Sequence, residues 1–235
     1  MKSLSLGLLL IISPLLLMSQ SIDYYNSFKD KAGINSIIFR GNSPINYQFK
    51  HEGSYYLFDE QFQNGEIVFN GKRYENIEIN LNSHIDELII KIPNSISMVI
   101  ANKDFVERFV FNGKTFINYK SSQSGSPQAG YYELLYSGKD TLLKKVRKLY
   151  VEQVPQPSAS STIKRIFNTD ESYYIYVAGR WKEAKKRRDL LKMYPHKRRQ
   201  IVKHINESGV NFSINKDEAF VEVVKFAEQN NPIER

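Results

Sequence analysis

Val68-Phe69-Asn70-Gly71-Lys72-Arg73-Tyr74 and Val110-Phe111-Asn112-Gly113-Lys114-Thr115-Phe116 repeat one pattern, with Asn-Gly set between strand-forming residues. A two-residue type I′ turn needs both central residues at positive φ, which Asn and Gly tolerate best, so each stretch predicts a β-hairpin. The shared Phe-Asn-Gly-Lys reads as the same turn chemistry used twice, with a duplicated hairpin unit as the alternative. Outward from these turns, residues 33 to 152 run as short aromatic and β-branched segments broken by Gly, Asn and Ser, the habit of antiparallel strands. Tyr74, Asn76 and Glu78 alternate with Glu75, Ile77, Ile79 and Leu81, which predicts a strand with one wet and one buried face. Leu88 to Ile92 reads as a more deeply buried strand. Gly130 to Tyr136, a turn at Ser137 to Asp140 and Thr141 to Val151 predict a third hairpin that exposes Lys144, Lys148 and either Lys145 or Arg147.

Pro and Ser then crowd Val154 to Ser161, as in a linker or long loop. After one more strand, Ser172 to Ala178, the periodicity turns helical over Trp181 to Tyr194, Lys197 to Glu207 and Lys216 to Gln229. In the last, Phe220, Val223, Val224 and Ala227 stand at i, i+3, i+4 and i+7, with Asn215 as N-cap and Glu218 three residues on. The expected fold is therefore α+β: a β-rich antiparallel sheet, sandwich or half-barrel over residues 22–155, followed at 162–235 by a strand and three helices packed on the same sheet.

Lys2, the uncharged run Leu4 to Met18 and Ser19-Gln20-Ser21 have the layout of a secretory signal peptide over residues 1–21. The run is too short, and too interrupted by Gly7, Ser13 and Pro14, for a bilayer-spanning helix. The expected product is exported, periplasmic or associated with the outer membrane, and without a transmembrane anchor after cleavage. The chain has no Cys, which excludes thiol catalysis, disulfides, thiolate zinc sites and the lipid-acceptor residue of a lipoprotein.

Motifs with chemistry are few. Gly113-Lys114-Thr115 imitates the end of a phosphate loop, but position 108 is Arg and a strand follows, so the phosphate cradle is absent. Ser161-Thr162-Ile163-Lys164 has the spacing of an acylating serine without the partner motifs that such enzymes need. The four histidines, His51, His84, His196 and His204, lack metal-site spacing, and His84 reads as a solvated turn residue. Acidic pairs such as Asp86-Glu87 and Asp217-Glu218 point to opposite faces if extended and cannot share a proton. Tyr24-Tyr25, Tyr55-Tyr56, Tyr131-Tyr132 and Tyr173-Tyr174 offer either an outer stacking face for sugars or peptides or ordinary cross-strand pairing. No cofactor is implied.

The net charge of +8 is local. Between Arg180 and His204 eleven cations stand against Glu183 and Asp189, leaving the rest of the chain near neutral. Lys185, Lys186, Arg187, Arg188, Lys197, Arg198 and Arg199 are the candidate contact residues, with a solvated helix surface as the alternative. Clustered cations on helices ordinarily suit nucleic acid, but an exported protein meets lipid head groups, acidic glycans and envelope proteins instead.

The Asn-Gly hairpins, Gly130-Tyr131-Tyr132-Glu133-Leu134-Leu135-Tyr136 with Gly138-Lys139, Leu142-Leu143-Lys144-Lys145 and the closing Leu190-Leu191-Lys192-Met193-Tyr194 carry a resemblance. With the signal sequence, they resemble a loose group of uncharacterised exported proteins of Bacteroidetes-type bacteria, in which a β-rich body precedes a short helical tail. That resemblance implies no activity and no catalytic residues. The expected role is non-enzymatic binding or scaffolding at the cell envelope; the alternatives are a carrier of an apolar ligand inside a curved sheet and an envelope enzyme.

Overall fold

The computed structural model describes residues 33–120, 127–154 and 163–229. The expected signal segment, Tyr24-Tyr25, and residues 155–162 of the Pro- and Ser-rich stretch, Ser161 and Thr162 included, lie outside the described residues.

After two single 3-10 turns, Gly33–Asn35 and Ile37–Phe39, come ten strands: β1 Gln63–Phe69, β2 Lys72–Asn82, β3 Glu87–Lys91, β4 Met98–Ile100, β5 Val106–Phe111, β6 Lys114–Tyr119, β7 Gly130–Ser137, β8 Thr141–Gln153, β9 Lys164–Val177 and β10 Arg180–Ala184. Among the described residues three helices follow: α1 Arg187–Met193, α2 Arg198–Ser208 and α3 Lys216–Gln229. Every strand pairing is antiparallel and all ten strands form one sheet, in the order β10-β9-β8-β7-β6-β5-β1-β2-β3-β4. The β-rich α+β class is as expected, with the helices a minor part. Two stacked sheets do not form, because the ladder never breaks.

Both Asn-Gly turns connect neighbouring strands, with Asn70 and Gly71 at φ 50 and 73 and Asn112 and Gly113 at φ 52 and 70. A third two-residue turn, Ala178-Gly179 at φ 50 and 77, joins β9 to β10. It corrects the expected helix from Trp181: Arg180 to Ala184 is a strand, and the helix is confined to Arg187–Met193.

Two further expectations fail for one reason, that strand alternation was carried through irregular or doubly covered positions. Asn76, at φ 54, makes a bulge opposite Gly65 and Glu66, so the phase of β2 shifts and Tyr74 turns inward with Ile77 and Ile79. Lys144 and Lys145 are both buried rather than exposed, because the middle of β8 is covered on each face.

That covering comes from how the sheet closes on itself. The β2–β3 turn reaches back to β8, where the Lys148 N–H donates to Ser83 O at 3.1 Å and His84 Nδ1 meets Lys148 O at 2.7 Å. In the ladder β1, β5, β6 and β7 separate β2 from β8, so these bonds require a strongly curled sheet. Residues 52–57 lie along the seam, pairing with β9 through Glu52 N–Arg165 O at 2.8 Å and with β2 through Leu57 N–Leu81 O at 2.8 Å.

The inside of the curl is filled by Ile67, Phe69, Ile79, Leu88, Phe109 and Phe116, among other apolar side chains. A second core lies where the helices cover β8 and β9, with Leu142, Tyr173 and Ile175 under Leu190, Ile201, Phe220 and Val224. On the opposite face Tyr132, Leu143 and Tyr174 make a smaller cluster. Burial of this kind contributes about 25 cal/mol per Å² of apolar surface, which is why each helix turns its apolar stripe to the sheet.

Candidate functional site

Of the seven candidate cations, five are exposed and two are built into the fold. Lys185, Lys186 and Arg188 stand at the entry to α1, and Arg198 and Arg199 on the first turn of α2. The Asp189 carboxylate accepts the backbone N–H groups of Lys185 at 3.3 Å and Lys186 at 3.2 Å, capping the helix start. Lys186, Arg188, Arg198 and Arg199 form no ion pair among the described residues, while Lys185 has only Glu183 at 3.9 Å. Arg187 is half-buried, with its guanidinium 5.9 Å from the centre of the Phe212 ring and its Nε lacking an acceptor among the described residues. Lys197 donates to the Ala227 carbonyl at 2.6 Å near the C-terminal end of α3, and burial pulls its ammonium pKa below the ordinary lysine value.

Under the N-terminus of α3 an ion network ties helix to sheet. Lys144 Nζ reaches Asp217 at 2.9 Å and Glu171 at 2.8 Å, and the Tyr173 hydroxyl donates to Asp217. Burial alone would raise the Asp217 carboxyl, but the hydrogen bonds from Lys144 and Tyr173 outweigh it and hold the carboxyl below its usual range. Burial likewise pulls Lys144 down, yet its two carboxylate partners leave it above the ordinary lysine value.

A second charged cluster gathers where the curl closes. Asp86 sits in the β2–β3 turn at φ 60, a left-handed conformation that Asp, like Asn, adopts more readily than other non-glycine residues. Its carboxylate pairs with Lys103 from the β4–β5 loop and with Lys145 from β8, and accepts the Tyr131 N–H at 3.2 Å. Pairing of β7 with β8 starts only at Glu133–Lys144, so Tyr131 has no ladder partner on that side. Asp86 takes its N–H and Lys145 donates to its carbonyl at 2.9 Å, which satisfies both backbone groups. Burial pulls the Lys145 pKa down against the attraction of Asp86. A Cβ on Gly130 would stand 2.6 Å from Asp86 Oδ2 and 2.9 Å from Lys145 Nζ, so a larger residue there would have to displace the ion pair.

The Asp86 cluster borders a cleft of about 530 Å³ lined by Asn42, Asp86, Glu87, Asn102, Lys103 and Tyr131, with Ile85, Ile100 and Ala101 as apolar wall. The adjacent acids Asp86 and Glu87 were expected on opposite faces. Both line the same cleft because Asp86 is not extended, so strand alternation does not apply to the pair. A left-handed residue followed directly by a strand was the feature a sequence reading lacked; Asp tolerates that conformation, but so do many solvated turns.

His84 is in a turn as expected but is not solvated: it is half-buried, bonded to Lys148 O, and its ring lies 5.1 Å from Phe167. Two of the tyrosine doublets, Tyr131-Tyr132 and Tyr173-Tyr174, resolve to packing. Tyr132 and Tyr174 meet edge to face at 5.6 Å, and Tyr131, Tyr132, Tyr173 and Tyr174 are all buried, so they offer no open stacking face. Among the described residues no three His, Asp or Glu side chains are grouped as metal ligands, and no helix is long and apolar enough to cross a membrane.

Compared with protein-family models, with curated proteins and with solved structures, the chain finds no match in any of the three.

Proposed function

We propose that the protein is exported and works without catalysis as a binding or scaffolding element of the bacterial envelope, docking on anionic lipid head groups through the basic face of α1 and α2. The observation that carries this reading is the set of exposed cations Lys186, Arg188, Arg198 and Arg199 with no carboxylate partner among the described residues. Cations placed only for solubility are usually interspersed with acids, whereas this stretch concentrates one sign. The packing of Phe109, Phe111, Phe116 and Tyr131 inside the curl favours docking over carriage of an apolar ligand, since those rings occupy the space a ligand would need.

Each lysine or arginine near an anionic membrane contributes about 1 kcal/mol of attraction, so reversing four should weaken binding by ~1,000-fold or more. The test is cosedimentation with anionic phospholipid vesicles of wild type and of the variant carrying Lys186→Glu, Arg188→Glu, Arg198→Glu and Arg199→Glu. Wild-type binding should fall steeply with salt, because exposed charges are screened over ~10 Å at 0.1 M. The variant should not bind, yet should melt like the wild type, because exposed charges contribute little to stability. Equal, salt-insensitive recovery of both proteins would sink the proposal.

A further inference from the structure

The geometry points to a second site, independent of the basic face: the cleft beside the β2–β3 turn binds a small hydroxyl-rich ligand, a monosaccharide or the end of a glycan, through Glu87 and Tyr131. Its volume of about 530 Å³ is within the range of small-molecule pockets, ~300 to 1,000 Å³. Two of its lining residues carry buried polar atoms without a hydrogen-bond partner among the described residues, Glu87 Oε2 and the Tyr131 hydroxyl. Tyr131 is only 2% exposed. Folded proteins leave few such atoms unsatisfied, and two on residues that line one cleft ask for a common partner.

The chemistry of that partner follows from the charges around it. Asp86 and Glu87 together balance Lys103 and Lys145, so the surroundings of the cleft are neutral in sum and give an anionic ligand no net attraction. A cationic ligand would meet the Lys103 ammonium. A hydroxyl group brings no charge and can donate to Glu87 while another accepts from Tyr131, which is the pattern of neighbouring hydroxyls on a sugar ring. The exposed side chains of Asn42 and Asn102 on the cleft supply further donors and acceptors, and Ile85, Ile100 and Ala101 provide a wall for the C–H face of the ring. The left-handed Asp86 places the pair of acids on this cleft, and the surrounding ion pairs hold it there.

The experiment is a titration of the full-length protein with glucose, galactose and N-acetylglucosamine, followed by amide chemical shifts, with acetate and ethylammonium as charged controls. At least one of the three sugars should shift the amides of Glu87, Asn102 and Tyr131 saturably, and neither control should. Tyr131→Phe and Glu87→Gln should each weaken that binding about tenfold, the loss of one well-placed hydrogen bond. Tyr131→Phe should also melt no lower than wild type, because it removes a hydroxyl that no protein group satisfies. If Tyr131→Phe fails to fold, the hydroxyl has a structural partner and the proposal falls. No saturable sugar response at these amides, a response to acetate or ethylammonium in its place, or a Glu87→Gln protein that binds like wild type would equally overturn it.

Discussion

Asp86 shows how much one residue can carry in this chain. Its left-handed backbone, its two lysine partners and its bond to the Tyr131 N–H join the β2–β3 turn to the β4–β5 loop, β7 and β8. Lys145 is the vulnerable partner, with its side chain only 10% exposed. Removing one member of a buried ion pair strands the other charge, which costs about 3 to 5 kcal/mol. Asp86→Asn should therefore lower stability by about 3 kcal/mol in urea denaturation, and adding Lys145→Met should recover most of it. A loss that the second substitution deepens would show that Lys145 is held by something other than Asp86. None of this is legible from Asp86-Glu87 read as an acidic doublet. Asn70-Gly71 and Asn112-Gly113, by contrast, are fully legible, because a type I′ turn is decided by its own two residues.

Among the elements, α3 is the one that local rules describe completely. It spans the expected Lys216–Gln229, buries Phe220, Val223, Val224 and Ala227, and is capped by Asn215 and Glu218 bonding to each other and to the helix start, with Glu218 N to Asn215 Oδ1 at 3.3 Å. Its docking is another matter, since it depends on Asp217 meeting Lys144 and Tyr173 from strands far away in sequence. Asp217 is held below its usual pKa, so the folded state gives up its proton more readily than the unfolded chain does. The stabilisation is fully present above the unfolded value of about 4 and is lost as pH falls through the lower folded value. Stability measured from pH 6 to pH 2 should accordingly drop less steeply for Asp217→Asn than for wild type, with the variant weaker at neutral pH. Parallel acid limbs would mean that Asp217 is not a titrating anchor. The helix expected from Trp181 gives way to strand β10 because Ala178, unlike Asn, is not a turn signal, and pairing with β9 holds it at positive φ.

For the whole molecule the deciding feature is the closure of the curl. Phe167 is the hub of the seam, with the rings of His51, His84 and Tyr150 at 5.2, 5.1 and 5.4 Å. Phe167→Ala should cost about 3 to 5 kcal/mol by leaving a cavity. Hydrogen exchange should show the amides of Leu57, Ser83 and Lys148 losing protection first, while those of β5 and β6 keep theirs; uniform loss would mean that the seam is not a separate cooperative unit. The Asn-Gly hairpin turns, the apolar stripe of α3 and the predominantly cationic run from Arg180 to His204 were determined by the sequence itself, because each depends on residues close to one another in the chain. The curl, the burial of Lys144 and Lys145 on opposite sides of β8, and the cleft beside Asp86 were decided only by tertiary structure. Their partners lie tens of residues apart, as Asp86 does from Lys145, and no local propensity encodes which of the chain's many lysines a given carboxylate will meet once the sheet closes.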